Sequence, residues 1–143
     1  MKAKAIGYWA TTAILVIGGL AGGAAQLTHQ PANIEGLREI GYPAYFATII
    51  GLWKILGAVA LAVPRFPRLK EWAYAGFFFG MTGAAASHVM SGSATWHVAA
   101  PLVVAAFTVA SWALRPPSRT LGSLLPADWA STPEHGAVPL PSR

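Results

Sequence analysis

Gly51-Leu52-Trp53-Lys54-Ile55-Leu56-Gly57-Ala58-Val59-Ala60-Leu61-Ala62-Val63-Pro64-Arg65-Phe66-Pro67-Arg68-Leu69-Lys70-Glu71-Trp72 is the stretch on which the fold turns. It sets a lysine inside an apolar run, adds a basic turn with two prolines, and then enters a second apolar run. Each run is long enough to cross a hydrocarbon core at 1.5 Å per residue. A lysine at mid-bilayer costs about 2.5–3.5 kcal/mol even on a lenient insertion scale. Lys54 therefore asks for a physical reason.

The same character extends outward. The chain has 143 residues, 55% hydrophobic and 10% charged, against about 25% charged in an average domain. Four apolar runs stand out, at about 5–25, 45–63, 72–90 and 98–114, and they predict an all-α fold, a four-helix transmembrane bundle. Residues 1–115 form this domain, and 116–143 read as a flexible tail, with six of the eleven prolines between Pro116 and Pro141. In that tail Leu121, Leu124, Leu125 and Trp129 are candidates for interface contact, and His135 carries no signal. A secretory signal peptide is the rival reading of the first run, with Lys2 and Lys4 before it and Gly23-Ala24-Ala25 as a cleavage site. The run is long for that role.

The net charge of +5 does not point to nucleic acid, because the basic residues flank apolar runs instead of forming a patch. Lys2, Lys4, Arg65, Arg68, Lys70, Arg115 and Arg119 fall on one side of a four-span topology, and only Arg38 falls on the other. The positive-inside rule then puts both termini in the cytoplasm of a multi-pass membrane protein. Tyr8, Trp9, Trp72, Tyr74 and Trp112 mark the inner interface, and Tyr42, Tyr45 and Trp96 the outer one. The loop from Gln26 to Ala44 predicts a short helix from Asn33 to Ile40, capped by Asn33. Pro64 and Pro67 shape the inner turn, and Pro101 falls near the start of the last helix. Glu71 suits the positive end of the third span's dipole. The chain contains no cysteine, so thiolate metal sites, disulfides and dithiol relays are excluded.

Helical spacing sorts the polar and small residues into faces. Gly7, Thr11, Gly18, Gly22 and Ala25 share one arc of the first helix, with Gly18-x-x-x-Gly22 and Gly19-x-x-x-Gly23 as close-packing signatures. Ala47, Gly51, Lys54, Gly57, Ala58 and Leu61 share another, which turns Lys54 inward with no acid at its depth. Gly76, Gly80, Gly83 and Ser87 line up on the third span. Gly18, Gly22, Gly51, Gly57, Gly76, Gly80 and Gly83 are thus the expected helix-packing residues, and packing alone accounts for most of them. Lys54 either extends to outer water, carbonyls or Glu35/Glu39, or contacts the polar head of an anionic or quinone-like ligand or a lipid, or serves as a proton-active amine. Trp53, His88, Glu35 and Glu39 are the other candidate ligand contacts. His29, His88 and His97 gather on the outer side with Glu35 and Glu39, a group able to hold a divalent metal or b-type haem or to relay protons, but the spacing carries no recognised metal signature and interface hydrogen bonding explains the histidines better. No nucleophile elbow or phosphate loop occurs, and no catalytic residue is assigned.

The chain resembles the DoxX-like family of small bacterial membrane proteins. The resemblance rests on Gly41-Tyr42-Pro43-x-Tyr45, Gly51-x-Trp53-Lys54-x-Leu56-Gly57-Ala58, and the run from Pro64 to Phe77. It continues in Gly83-Ala84-x-x-Ser87-His88 and Ser111-Trp112-x-Leu114-Arg115-Pro116, and covers residues 5–119. It implies a four-helix membrane bundle and, from the wider DoxX/DoxD group, work beside oxidoreductases with quinone as the candidate cofactor. Fold does not guarantee activity. Three roles follow: an accessory subunit of a membrane redox system that is no enzyme alone, a small proton-linked transporter, or a helix-packing scaffold. The bilayer, membrane or oxidoreductase subunits, and further copies of the chain are the partners to expect.

Overall fold

In the computed structural model, residues 2–121 are described, and all their regular structure is helical. The elements are α1 (Lys2–Leu27), α2 (Pro31–Glu39), α3 (Tyr45–Ala62), α4 (Pro67–Met90) and α5 (Thr95–Ala113), followed by a 3₁₀ turn at Pro117–Arg119. Helices α1, α3 and α5 are long and apolar enough to cross a membrane. Of the expected interface contacts in the tail, Leu124, Leu125 and Trp129 lie outside the described residues, which end at Leu121.

Prolines set two of the helix starts. Pro31 and Pro67 stand in the first turns of α2 and α4, where the missing N–H has no intrahelical partner to lose and the fixed φ already suits a helix. The N-cap of α2 is therefore Gln30, without a side-chain cap bond, and Asn33 lies inside the helix. For the same reason α4 begins at Pro67 instead of Trp72, so Arg68, Lys70 and Glu71 ride on the helix and not in the turn. Helix α5 starts at Thr95, which leaves Pro101 inside it, and its ring removes the amide that would bond to His97.

Three helix ends share one geometry. The α2 end carries Tyr42 N–H to Leu37 O (2.8 Å) and Gly41 N–H to Arg38 O (3.0 Å), and the α4 end carries Ser93 N–H to His88 O (3.0 Å) and Gly92 N–H to Val89 O (3.1 Å). Gly41 and Gly92 have φ of 87° and 67°, as this six-to-one closure requires. The α1 end closes in the same way, with Gln30 N–H on Ala25 O (3.0 Å) and His29 N–H on Gln26 O (3.2 Å). There His29, at φ 51°, takes the position usually given to glycine.

Helix α1 packs against α3 and α5, and α4 against α5 and α3, so each long helix has two neighbours; α2 rests on α1 and α3. The closest approach is between α1 and α3. A Cβ at Gly23 would stand 2.8 Å from Gly51 O, and one at Gly51 would stand 2.9 Å from Gly23 O. Gly19 lies against Ala58 and Phe77, and Gly57 against Phe77. The buried face of α1 is thus Tyr8, Thr12, Leu15, Gly19, Gly23 and Gln26, one residue on from the arc expected. Nothing stands within 4 Å of a Cβ at Gly18, Gly22, Gly76, Gly80 or Gly83. The intrachain packing expected there is not made, because an adjacent stripe of each of these helices faces the interior instead.

Leu15, Ala58, Ala60, Leu61, Ala73, Tyr74 and Phe77 form the core, flanked by Val16, Val104 and Phe107. Tyr8 and Tyr74, expected at an interface, are both buried. Large apolar side chains such as Ile17, Trp53, Phe79 and Val103 instead cover the outside. A surface of this kind suits lipid as solvent.

Candidate functional site

The helices place polar side chains at three levels. Lys54 sits in the middle of α3, between Gly51, which faces α1, and Gly57, which meets Phe77 of α4. Helical geometry therefore directs it between those two helices. It is half-buried, and among the described residues its ammonium has no hydrogen bond and no ion pair. Its neighbour Trp53 is exposed on the outside.

At the His29 end the remaining candidates separate into two groups. Glu35 and Glu39 line an open depression with His29, Pro31, Ile34 and Arg38. His29 Nε2 is 2.8 Å from Thr48 Oγ1, a bond that draws the end of α1 toward α3. His88 stacks on His97 with ring centroids 5.3 Å apart, and its Nδ1 lies 3.0 Å from Ser93 Oγ. Tyr42 OH pairs with Ser87 Oγ at 3.0 Å. His29, His88 and His97 do not converge, and no cluster of three metal-ligating side chains occurs among the described residues. Of Lys54, Trp53, His88, Glu35 and Glu39, only the two glutamates line the depression beside His29.

The densest polar cluster is at the opposite end, and the sequence reading missed it. Lys70, 1% exposed, donates from Nζ to Ala60 O (2.9 Å), Leu61 O (2.7 Å) and Val63 O. These are final carbonyls of α3, which lack intrahelical donors and carry the negative end of its dipole. Lys70 is thus a cap supplied by the next helix, not only a topology marker. It lies in the first turns of α4, before the apolar stretch that begins at Trp72. Burial, with Arg119 and Arg115 nearby, pushes its pKa down to about 8, which leaves it mainly protonated at neutral pH.

Two arginines close the cluster. Arg115 Nη1 bonds to Glu71 Oε1 at 2.6 Å, and Trp112 Nε1 donates to Glu71 Oε2 at 2.9 Å. Glu71 thus has a specific partner on α5, beyond any dipole role. Burial would raise its pKa, but the hydrogen bonds from Arg115 and Trp112 hold it below the ordinary carboxylate range. Arg119 Nη1 reaches Tyr8 OH (3.2 Å) and Leu61 O (3.3 Å), with its guanidinium 4.7 Å from the Trp9 ring. Inside this layer Tyr74 OH pairs with Ser111 Oγ (2.9 Å), and Ser111 with Thr12 Oγ1 (2.7 Å). A signal for Lys70 was present: it opens the i, i+3, i+4, i+7 series Lys70, Ala73, Tyr74, Phe77, all buried.

A chain whose described residues form only helices, with an apolar exterior and three helices fit to cross a bilayer, is a membrane protein. The DoxX-like family profile matches residues 10–111, and the chain belongs to that family. No curated protein and no solved structure matches it.

Proposed function

We propose that the chain is a four-helix transmembrane bundle of the bacterial inner membrane, with both termini cytoplasmic. In this reading it is an accessory subunit of a membrane redox system and holds the polar head of a quinone or lipid at Lys54. One observation carries the proposal: Lys54 is unbonded among the described residues, whereas the other interior lysine, Lys70, is bonded to three carbonyls. An ammonium that a membrane helix leaves without a partner is a ready donor for the carbonyl or anionic head of an amphipathic ligand. His88, Glu35 and Glu39 would stand on the outer approach, and Trp53 would face the ligand's apolar tail from the lipid side. Quinone, when bound, supplies two-electron, two-proton redox chemistry. The chain's own part is to orient the head, and with no cysteine it offers no thiol couple.

The open stripe of Gly76, Gly80 and Gly83 supports a partner helix from another subunit, since small residues permit close approach. Mass spectrometry of small molecules co-purified in mild detergent tests the proposal. A quinone or specific lipid retained by the wild type and lost in Lys54→Ala is expected. A wild-type preparation that carries neither sinks it.

A further inference from the structure

A groove lies on the lipid-facing surface between α4 and α5, and it involves neither α3 nor Lys54. Its volume is about 290 Å³. Ala75, Phe78, Thr108 and Val109 wall it, and Glu71 and Trp112 stand at one end. The Thr108 hydroxyl is already spent on Val104 O at 2.8 Å, which leaves the walls apolar. From Glu71 to Phe78 the groove follows about two turns of α4, ~10 Å, against ~15 Å for one leaflet of a hydrocarbon core. Trp112 stands next to the last residue of α5, a helix fit to cross the bilayer. The groove therefore starts at the membrane interface and descends into one leaflet. An acyl chain takes that course.

The interfacial end carries two unlike charges. Arg68, Glu71, Ala75 and Phe78 recur at i, i+3, i+7 and i+10, and so share one face of α4. Arg68 is exposed, and among the described residues it has no ion pair and no side-chain hydrogen bond. Its Cα–Cβ bond tilts toward the N-terminus of α4, away from the apolar walls and into the head-group layer. Glu71 accepts from Arg115 Nη1 and Trp112 Nε1, one on each carboxylate oxygen. A carboxylate has about four lone-pair sites, and the Glu71 side chain is 28% exposed, so it can accept a further donor.

We infer that this groove binds one phospholipid whose head carries both a phosphate and a primary ammonium, a phosphatidylethanolamine. An acyl chain fills the groove, Arg68 pairs with the phosphate, and Glu71 accepts from the ammonium. The phosphate and ammonium are joined by two carbons, which suits a cation and an acid one helical turn apart. A choline head has no N–H to give Glu71, and a glycerol head offers neutral hydroxyls instead. Hydrogen bonds between charged groups are the stronger ones.

The test is native mass spectrometry of the full chain in detergent, titrated with phosphatidylethanolamine, phosphatidylcholine and phosphatidylglycerol of one acyl composition. The wild type is expected to bind one phosphatidylethanolamine about tenfold tighter than either other lipid. Arg68→Gln should weaken all three, since each has the phosphate, and Ala75→Leu should do the same by filling the groove. Both residues are exposed, so neither change threatens the fold. Glu71→Gln should abolish the ethanolamine preference, and a preference that survives it overturns the role of Glu71. Equal affinities in the wild type, tighter binding of another of the three, or no bound lipid overturns the inference. So does binding that Arg68→Gln and Ala75→Leu leave unchanged. A specific lipid lost in Lys54→Ala but kept in both groove variants overturns this inference and leaves the Lys54 reading standing.

Discussion

Lys54 and Lys70 are the two lysines drawn into the helix assembly, and their surroundings are opposite. Lys70 is sealed at one end, its ammonium shared among the last carbonyls of α3. Around it Arg115, Glu71, Arg119 and the Tyr74–Ser111–Thr12 hydroxyls are also bonded. Lys54 sits at mid-helix, half-buried and without such a shell. The difference teaches that a charge inside an apolar protein is not one kind of signal. Where helix-end carbonyls surround it, the charge completes the fold; where none do, it stays without a partner among the described residues.

The largest effect that would break this comparison comes from removing each lysine in turn. Lys70→Met leaves three carbonyls without their donor and should cost about 3 kcal/mol in detergent unfolding experiments. Lys54→Met should change stability by less than about 1 kcal/mol, because no bond is lost. Equal losses would erase the distinction.

Arg119→Gln is expected to have a smaller effect, about 1 kcal/mol, since Arg119 is part-buried and its contacts to Tyr8 and Leu61 are long. Faster hydrogen exchange should then appear across the Pro117–Arg119 turn and spare α3 around Lys54. A further effect is a pH slope. With Lys70 lowered to about 8 from an unfolded value of 10.5, the unfolded chain binds more protons between those values. Stability should therefore rise with pH across that window, and Lys70→Met should lack this part of the slope. A slope identical in both proteins would detach Lys70 from it.

Local patterns made much of the architecture legible before any contact was known. Hydropathy placed the helices within a few residues, and the residual errors trace to Pro31 and Pro67, which start helices earlier than Asn33 and Trp72 suggested. The glycines were harder. Gly18-x-x-x-Gly22 and Gly19-x-x-x-Gly23 are adjacent stripes of one helix, and local sequence has no term that chooses between them. The second stripe packs because it shares its face with Tyr8, Leu15 and Gln26. The histidines and acids at the His29 end looked like one group in sequence, but helix ends and stacking divide them between Thr48, Ser93 and the α2 depression.

The sequence by itself determined that this chain is helical, that apolar segments meet lipid, and that Lys54 lies on an inward arc. Those properties follow from composition and from the 3.6-residue period, which are local. Only the tertiary structure decided which stripe of each helix is covered, because burial depends on what another helix brings to the same level. It also decided that Lys70 ends α3 and that Gln26 packs against Gly51 across the α1–α3 seam. Both depend on antiparallel registers between helices, which no single helix encodes.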